Sequence, residues 1–261
     1  MAKSAQHLPG DPSQLHLKYI YDHGLQDDPH EQTVQEWEIS IRHGYEVHDD
    51  KHCPVLNDPD SPGEYCEGDC AAFEEQGVEV GRMTFYRIRL DQGMNAWWAM
   101  EEQSQELYEI AEVLLDQDTG YFTDEVEQQL EYVGTDLLVM DRVALDREWR
   151  GHGLGPVLAA EAINRLAPGC RAVTCSPGIS ERDNGWKPDE GEWNRVTAQI
   201  AAAWEKVGFT LYKDNVYLLN PATVVPEEGR AALRAEFKEL CTAWREFAFT
   251  AVEPTRGTPD A

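Results

Sequence analysis

The chain has 261 residues, 41% of them hydrophobic and eight of them tryptophan, with a formal charge of −27 and a pI near 4.5. That size and apolar content can bury a full core, so a folded domain is expected rather than a disordered chain. The acidity argues against generic binding to nucleic acid or an anionic membrane, and no apolar run of about 18 residues offers a membrane helix, so a soluble cytoplasmic protein is expected.

Residues 1–16 are polar, carry Pro9 and Pro12, and are read as a leader. A first strand is expected over Leu17 to Tyr21 and a second over Val34 to Val47, where Val34, Trp37, Ile39 and Ile41 alternate in part. From His48 to Gly77 the composition is that of a loop. It holds His48, His52, Cys53, Cys66 and Cys70, and imidazole with thiolate suits a structural zinc that would staple a segment with little core of its own. Neither pair has the Cys-x-x-Cys spacing, and seven of the eight histidines fall in the first 52 residues, so solvent-side loop residues are the competing reading. The six cysteines are too dispersed for a disulfide framework; Cys170 and Cys175 flank an apolar strand and read as packing residues.

Val78 to Leu90 predicts a strand, followed by one amphipathic helix over Ala96 to Leu115, with Trp97, Met100, Leu107, Ile110 and Leu114 on its inner face. A shorter helix is expected after Thr123, with Val126 and Leu130 inward. The stretch Asp136 to Ile163 reads as strand, glycine turn and helix in one unit. Leu137, Val139, Val143 and Leu145 give the strand pattern, and Leu154, Leu158 and Ala162 give the helical one. Between them lies Arg150-Gly151-His152-Gly153-Leu154-Gly155, with Pro156 in the first helical turn, where a missing N–H is harmless. Glycines at alternate positions let amides converge without Cβ obstruction, and the helix dipole adds positive potential there, so the turn is suited to an anion. A dinucleotide fingerprint fails because the sixth position is Pro156 or Leu158, and a phosphate loop fails because no Lys-Ser or Lys-Thr follows.

Beyond this unit, Ala172 to Cys175 predicts a strand and Pro177 to Gly191 a long polar loop centred on Trp186. An amphipathic helix carrying Val196, Ile200, Ala203 and Val207 ends at Gly208. Thr210 to Tyr212 and Val216 to Leu219 form a hairpin around Lys213-Asp214-Asn215, and Glu227 to Phe249 is a further amphipathic helix. That helix is expected to pack on its own domain, with a homodimer interface as the second option.

Two of these segments carry a resemblance. Arg150, Gly153 and Gly155, preceded by Val143-Ala144-Leu145-Asp146, resemble the (Arg/Gln)-x-x-Gly-x-(Gly/Ala) motif of the GNAT N-acetyltransferases and the strand before it. Trp204-Glu205-Lys206-Val207-Gly208-Phe209 is similar to the family's Tyr-x-x-x-Gly-Phe helix ending. The resemblance covers 135–220 well and the first half poorly, because the family's two helices follow its first strand and here the helical segments precede the fourth.

The resemblance implies an α/β (α+β) fold with a mixed, mostly antiparallel central sheet flanked by helices. In this chain that is a domain over 17–220, a C-terminal helical extension over 226–249 and a tail over 250–261. It implies acetyl-CoA as acyl donor, with its pyrophosphate on Arg150, Gly151, His152, Gly153, Leu154 and Gly155 and its pantetheine on Val143, Ala144 and Leu145. The reaction implied is direct attack of a primary amine, on a small molecule or a protein, at the thioester. A lysine-like amine is neutral about one part in a few thousand at pH 7, roughly 4.6 kcal/mol of barrier, so a base is expected. Asp141 is the candidate, with a surface pair to Arg142 as the alternative. Trp204 stands where the family commonly has its tyrosine acid and Thr197 where it has asparagine. Tyr212 or Tyr217 could replace that acid, the thiolate could leave unassisted, or the protein could be a non-catalytic acyl-CoA-binding or protein-interaction module that keeps the fold.

Overall fold

A computed structural model describes residues 4–44, 77–178 and 189–252, with a few positions between 47 and 74. Seven strands form one sheet: β1 (Leu15–Ile20), β2 (Val34–His43), β3 (Val78–Ile88), β4 (Asp136–Leu145), β5 (Cys170–Cys175), β6 (Thr210–Lys213) and β7 (Val216–Leu219), in the order β1-β2-β3-β4-β5-β7-β6. Every neighbouring pair is antiparallel except β4 and β5. A parallel pair needs a crossover, which α3 (Leu154–Leu166) supplies. The mixed, mostly antiparallel sheet flanked by helices is therefore present.

The two faces of the sheet carry separate cores. Ile39, Ile41, Phe85, Leu138 and Val173 face α3, α4 (Glu190–Glu205) and α5 (Val225–Val252). Ile88, Leu137, Val139, Ala172 and Leu218 face α1 (Ala96–Gln103) and α2 (Gln105–Leu114). Period-2 alternation, as in Leu137/Leu138 and Val139/Met140, divides each strand between the two.

The departure in chain order has a simple form: β1, β2 and β3 come first, and the two helices are inserted between β3 and β4. They are two helices and not the single one expected. Ser104 takes an extended conformation, its hydroxyl accepts from the Leu107 N–H at 3.1 Å, and its own N–H closes α1 on the Met100 carbonyl. Serine offers the backbone this alternative to helix, a signal that apolar periodicity does not carry. The second strand ends at His43, and Val47–His48 instead pairs with Phe73–Glu74. The helix after Thr123 is a single turn, Asp124–Glu127.

The N-terminal residues read as a leader form two short turns, Ala5–His7 and Pro12–Gln14, that lie on α5 with Leu8 buried. Arg245 of α5 donates to Asp11 at 3.2 Å and Ser13 at 2.7 Å. The apolar stripe of α5, with Leu233, Phe237, Leu240 and Trp244, packs into the core beneath it, and Arg234 bridges to Glu161 of α3 at 2.7 Å. Among the described residues no helix is long and apolar enough to cross a membrane.

Candidate active site

The unit spanning β4, the glycine turn and α3 opens a cleft of about 1060 Å³. Its shape begins in the strand register. Strands β4 and β5 pair from Asp136 with Cys170 to Val139 with Thr174, and then part. Beyond Val139, β4 runs on to Leu145 bonded, among the described residues, only to β3, and Val143, Ala144 and Leu145 line the cleft. At this point β4 also bulges. Met140 pairs with Phe85 and Arg142 with Thr84, leaving Asp141 as the extra residue. A bulge re-aims the side chain it carries, and here it places Asp141 on the cleft wall.

At the far end of the open edge lies the glycine turn. A short 3-10 turn, Arg147–Trp149, is pinned by Trp149, buried and 4.9 Å from the His43 ring. Arg150 donates from Nε to the Leu145 carbonyl, which fixes its guanidinium stem against the strand end. Gly151 and Gly153 have φ of 87° and 78°, a left-handed backbone that favours glycine. His152 between them is buried. Gly153 caps α3 with no side-chain bond to the helix amides, and no acidic residue occupies the first turn. The starts of α1, α2 and α4 are capped by Asn95, Ser104 and Asp189. A Cβ built on Gly155 would meet nothing within 4 Å, and Gly155, unlike Gly153, needs no left-handed φ. Glycine inside a helix costs about 1 kcal/mol relative to alanine. Among the described residues no neighbour requires its absence of a side chain.

The electrostatics of the cleft reverse those of the whole chain. Its described lining holds Arg147, Arg150 and Lys206 against one carboxylate, Asp141, in a protein with 22 Lys and Arg against 49 Asp and Glu. Lys206 is shared with Glu236 at 3.0 Å. The Asp141 side chain is 12% exposed and 3.8 Å from Arg142 Nε, too long for a hydrogen bond. Burial raises its pKa, Arg142 pulls it back, and Glu106 and Glu36 add to the rise.

The other residues singled out in the sequence fall in several places. Val143, Ala144 and Leu145 line the open strand edge. Tyr212 packs against the α1 and α2 face. Tyr217 is buried beside its cross-strand partner Cys175, and burial raises its pKa, with Glu205 and Cys175 adding. Neither tyrosine is among the described residues lining the cleft. Trp204 does line it, together with Val196, Ile200 and Ala203 of α4. Thr197 buries its hydroxyl oxygen without a hydrogen-bond partner.

Cys53 is buried and Cys66 half-buried, while His52 and Cys70 lie outside the described residues, as does Trp186. Among the described residues no three His, Cys, Asp or Glu side chains are grouped to hold a metal. Sequence reasoning missed Met140, Cys175 and Ser176 as cleft residues, because they are placed by the parting of β4 from β5 and by no local motif.

No family model and no curated protein matches this chain. Among solved structures it is similar to a KacTA–DNA complex, at 10% identity over 87% of this chain and 99% of that one, with a TM-score of 0.33. It is also similar to AtaTR bound with AcCoA, at 11% identity over 86% and 99%, with a TM-score of 0.33. A third likeness is to a mutant of KacT, at 10% identity over 85% and 98%, with a TM-score of 0.35. At this distance such likenesses carry no functional weight.

Proposed function

We propose that the protein is an acyl-CoA-dependent N-acyltransferase, using acetyl-CoA or a closely related thioester and a primary amine. The observation that carries this reading is the uncapped α3 N-terminus, with empty space over Gly155 and arginines beside it, continuous with the free edge of β4. A pyrophosphate suits the first feature, because amides and dipole converge there on an anion. An extended chain with amide groups suits the second, because a strand edge offers unpaired N–H and C=O groups. Coenzyme A joins these two chemistries in one molecule. Arg150, anchored at the junction, would hold the phosphates while Val143, Ala144 and Leu145 bond the pantetheine.

In the transfer step the amine nitrogen forms a bond to the thioester carbonyl carbon, the carbon–sulfur bond breaks, and the amine's proton passes to Asp141. A buried carboxylate with a raised pKa is a better proton acceptor than an ordinary one, and the bulge sets it on the cleft wall, at the end of the strand edge where this reading puts the thioester. The thiolate takes its proton from water. A thiol of pKa about 8.5 is a tolerable leaving group, so the reaction does not require an acid at the Trp204 position.

A second reading is binding of acyl-CoA without transfer, favoured by the absence of tyrosine from the described cleft lining. Release of free thiol from acetyl-CoA in the presence of a mixed pool of primary amines separates the two. The transferase reading expects amine-dependent release that falls about 10²–10⁴-fold in Asp141→Asn. Tight binding with no release for any amine supports the second reading instead.

A further inference from the structure

The closed end of the cleft determines which acyl groups fit, an inference that rests on the acyl-CoA reading. With the pyrophosphate at Gly155 and the pantetheine along β4, the chain runs from Leu145 to Met140, roughly 17 Å at about 3.3 Å per strand residue. The acyl group then arrives where β4 and β5 rejoin. The last pair is Val139 with Thr174, and beyond it the two strands are hydrogen-bonded with no gap to enter. Met140 and Cys175, the first residues after that pair, form the floor of the cleft and are 3% and 1% exposed. Trp204, 9% exposed, closes it from α4. Behind Cys175 stands Tyr217, its cross-strand partner on the same face and buried in the same core.

We infer that Met140, Cys175 and Trp204 form an acyl-length gauge that admits acyl groups of two or three carbons and excludes longer ones, with Trp204 as the residue that sets the limit. All three side chains sit in a close-packed core, which gives way to an extra methylene only at a cost. The indole is the largest of the three and comes from a helix, whereas Met140 and Cys175 are fixed by the sheet. Shortening Trp204 is therefore the change that lengthens the gauge. The raised pKa of Cys175, caused by burial, agrees with a wall residue and not with a nucleophile.

The test needs no acceptor. Acetyl-, propionyl-, butyryl-, hexanoyl- and octanoyl-CoA, with free CoA as reference, are titrated calorimetrically into the full-length wild type, Trp204→Phe and Trp204→Ala. In the wild type, affinity is expected to fall at least about 10-fold between propionyl- and hexanoyl-CoA. In the variants the break should move to longer chains, further for alanine than for phenylalanine. If Trp204→Ala does not fold, Met140→Ala is expected to move the break in the same direction. Wild-type affinity independent of chain length, or a break that stays in place in the folded variants, overturns the gauge. Failure of every thioester and of free CoA to bind overturns the acyl-CoA reading instead.

Discussion

Two of the turns that lead from a strand into a helix are built on opposite principles. The turn between β3 and α1 is closed. Asn95 accepts from the Trp97 N–H at 2.9 Å, the Met94 N–H donates to buried Thr33 at 2.8 Å, and a Cβ on Gly93 would lie 2.2 Å from the Thr33 hydroxyl. Every feature of that turn is used by the fold. The turn between β4 and α3 is open, with no side-chain cap, no acidic residue in the first helical turn and unfilled space over Gly155. Helix ends left unsatisfied cost stability, so the contrast supports the proposal that a ligand completes the second turn.

The comparison can be broken by substitution at either turn. The largest effect on stability is expected for Gly93→Val, where a side chain must enter contacts of 2.2–2.3 Å from a φ of 75°. Urea unfolding should show a loss of about 3 kcal/mol or more, with acyl-CoA affinity of the folded protein unchanged. Asn95→Ala removes a cap and should cost about 1 kcal/mol in the same assay, again without an effect on ligand. Gly155 in the open turn should give the reverse pattern: a large side chain there changes ligand binding and leaves stability nearly untouched or improved.

Asp141 sharpens the same contrast at the other end of the open edge. Its folded-state pKa lies above the unfolded value because burial disfavours the charge, so the folded state holds the proton more tightly. Stability is therefore lost as pH rises from the unfolded carboxylate pKa through the folded one, and the penalty persists at neutral pH. Asp141→Asn should raise the melting temperature at pH 7 and lose that advantage at a pH below the carboxylate range, as followed by thermal unfolding across pH. A variant less stable than the wild type at neutral pH would show the carboxylate to be a structural partner of Arg142.

Much of this arrangement was legible in the sequence where the signal is local. Arg150 to Gly155 at a strand-to-helix junction, the hairpin around Asp214 and Asn215, and the closing Gly208 are short patterns with one dominant conformational solution. Asp214 and Asn215 do take positive φ, and Gly208 a φ of 113°. The features that needed coordinates are relational. Whether 96–115 is one helix or two turned on the single hydroxyl of Ser104. The cleft floor at Met140 and Cys175 depends on where two strands part, which no residue type announces. The docking of residues 5–14 on α5 depends on Leu8 and the Asp11–Arg245 pair, whose partners are more than 200 positions apart in sequence.

The most direct test of the central claim is titration of acetyl-CoA into the wild type and Gly155→Leu, with urea unfolding of both. Leucine is the better helix former, and its Cβ would meet nothing among the described residues, so the variant should be about as stable as the wild type or more stable by up to about 1 kcal/mol. The same side chain would occupy the ligand's space, and affinity should fall about 10-fold or more. A variant that is equally stable and binds acetyl-CoA as well as the wild type would contradict the account, because the open turn would then hold no ligand.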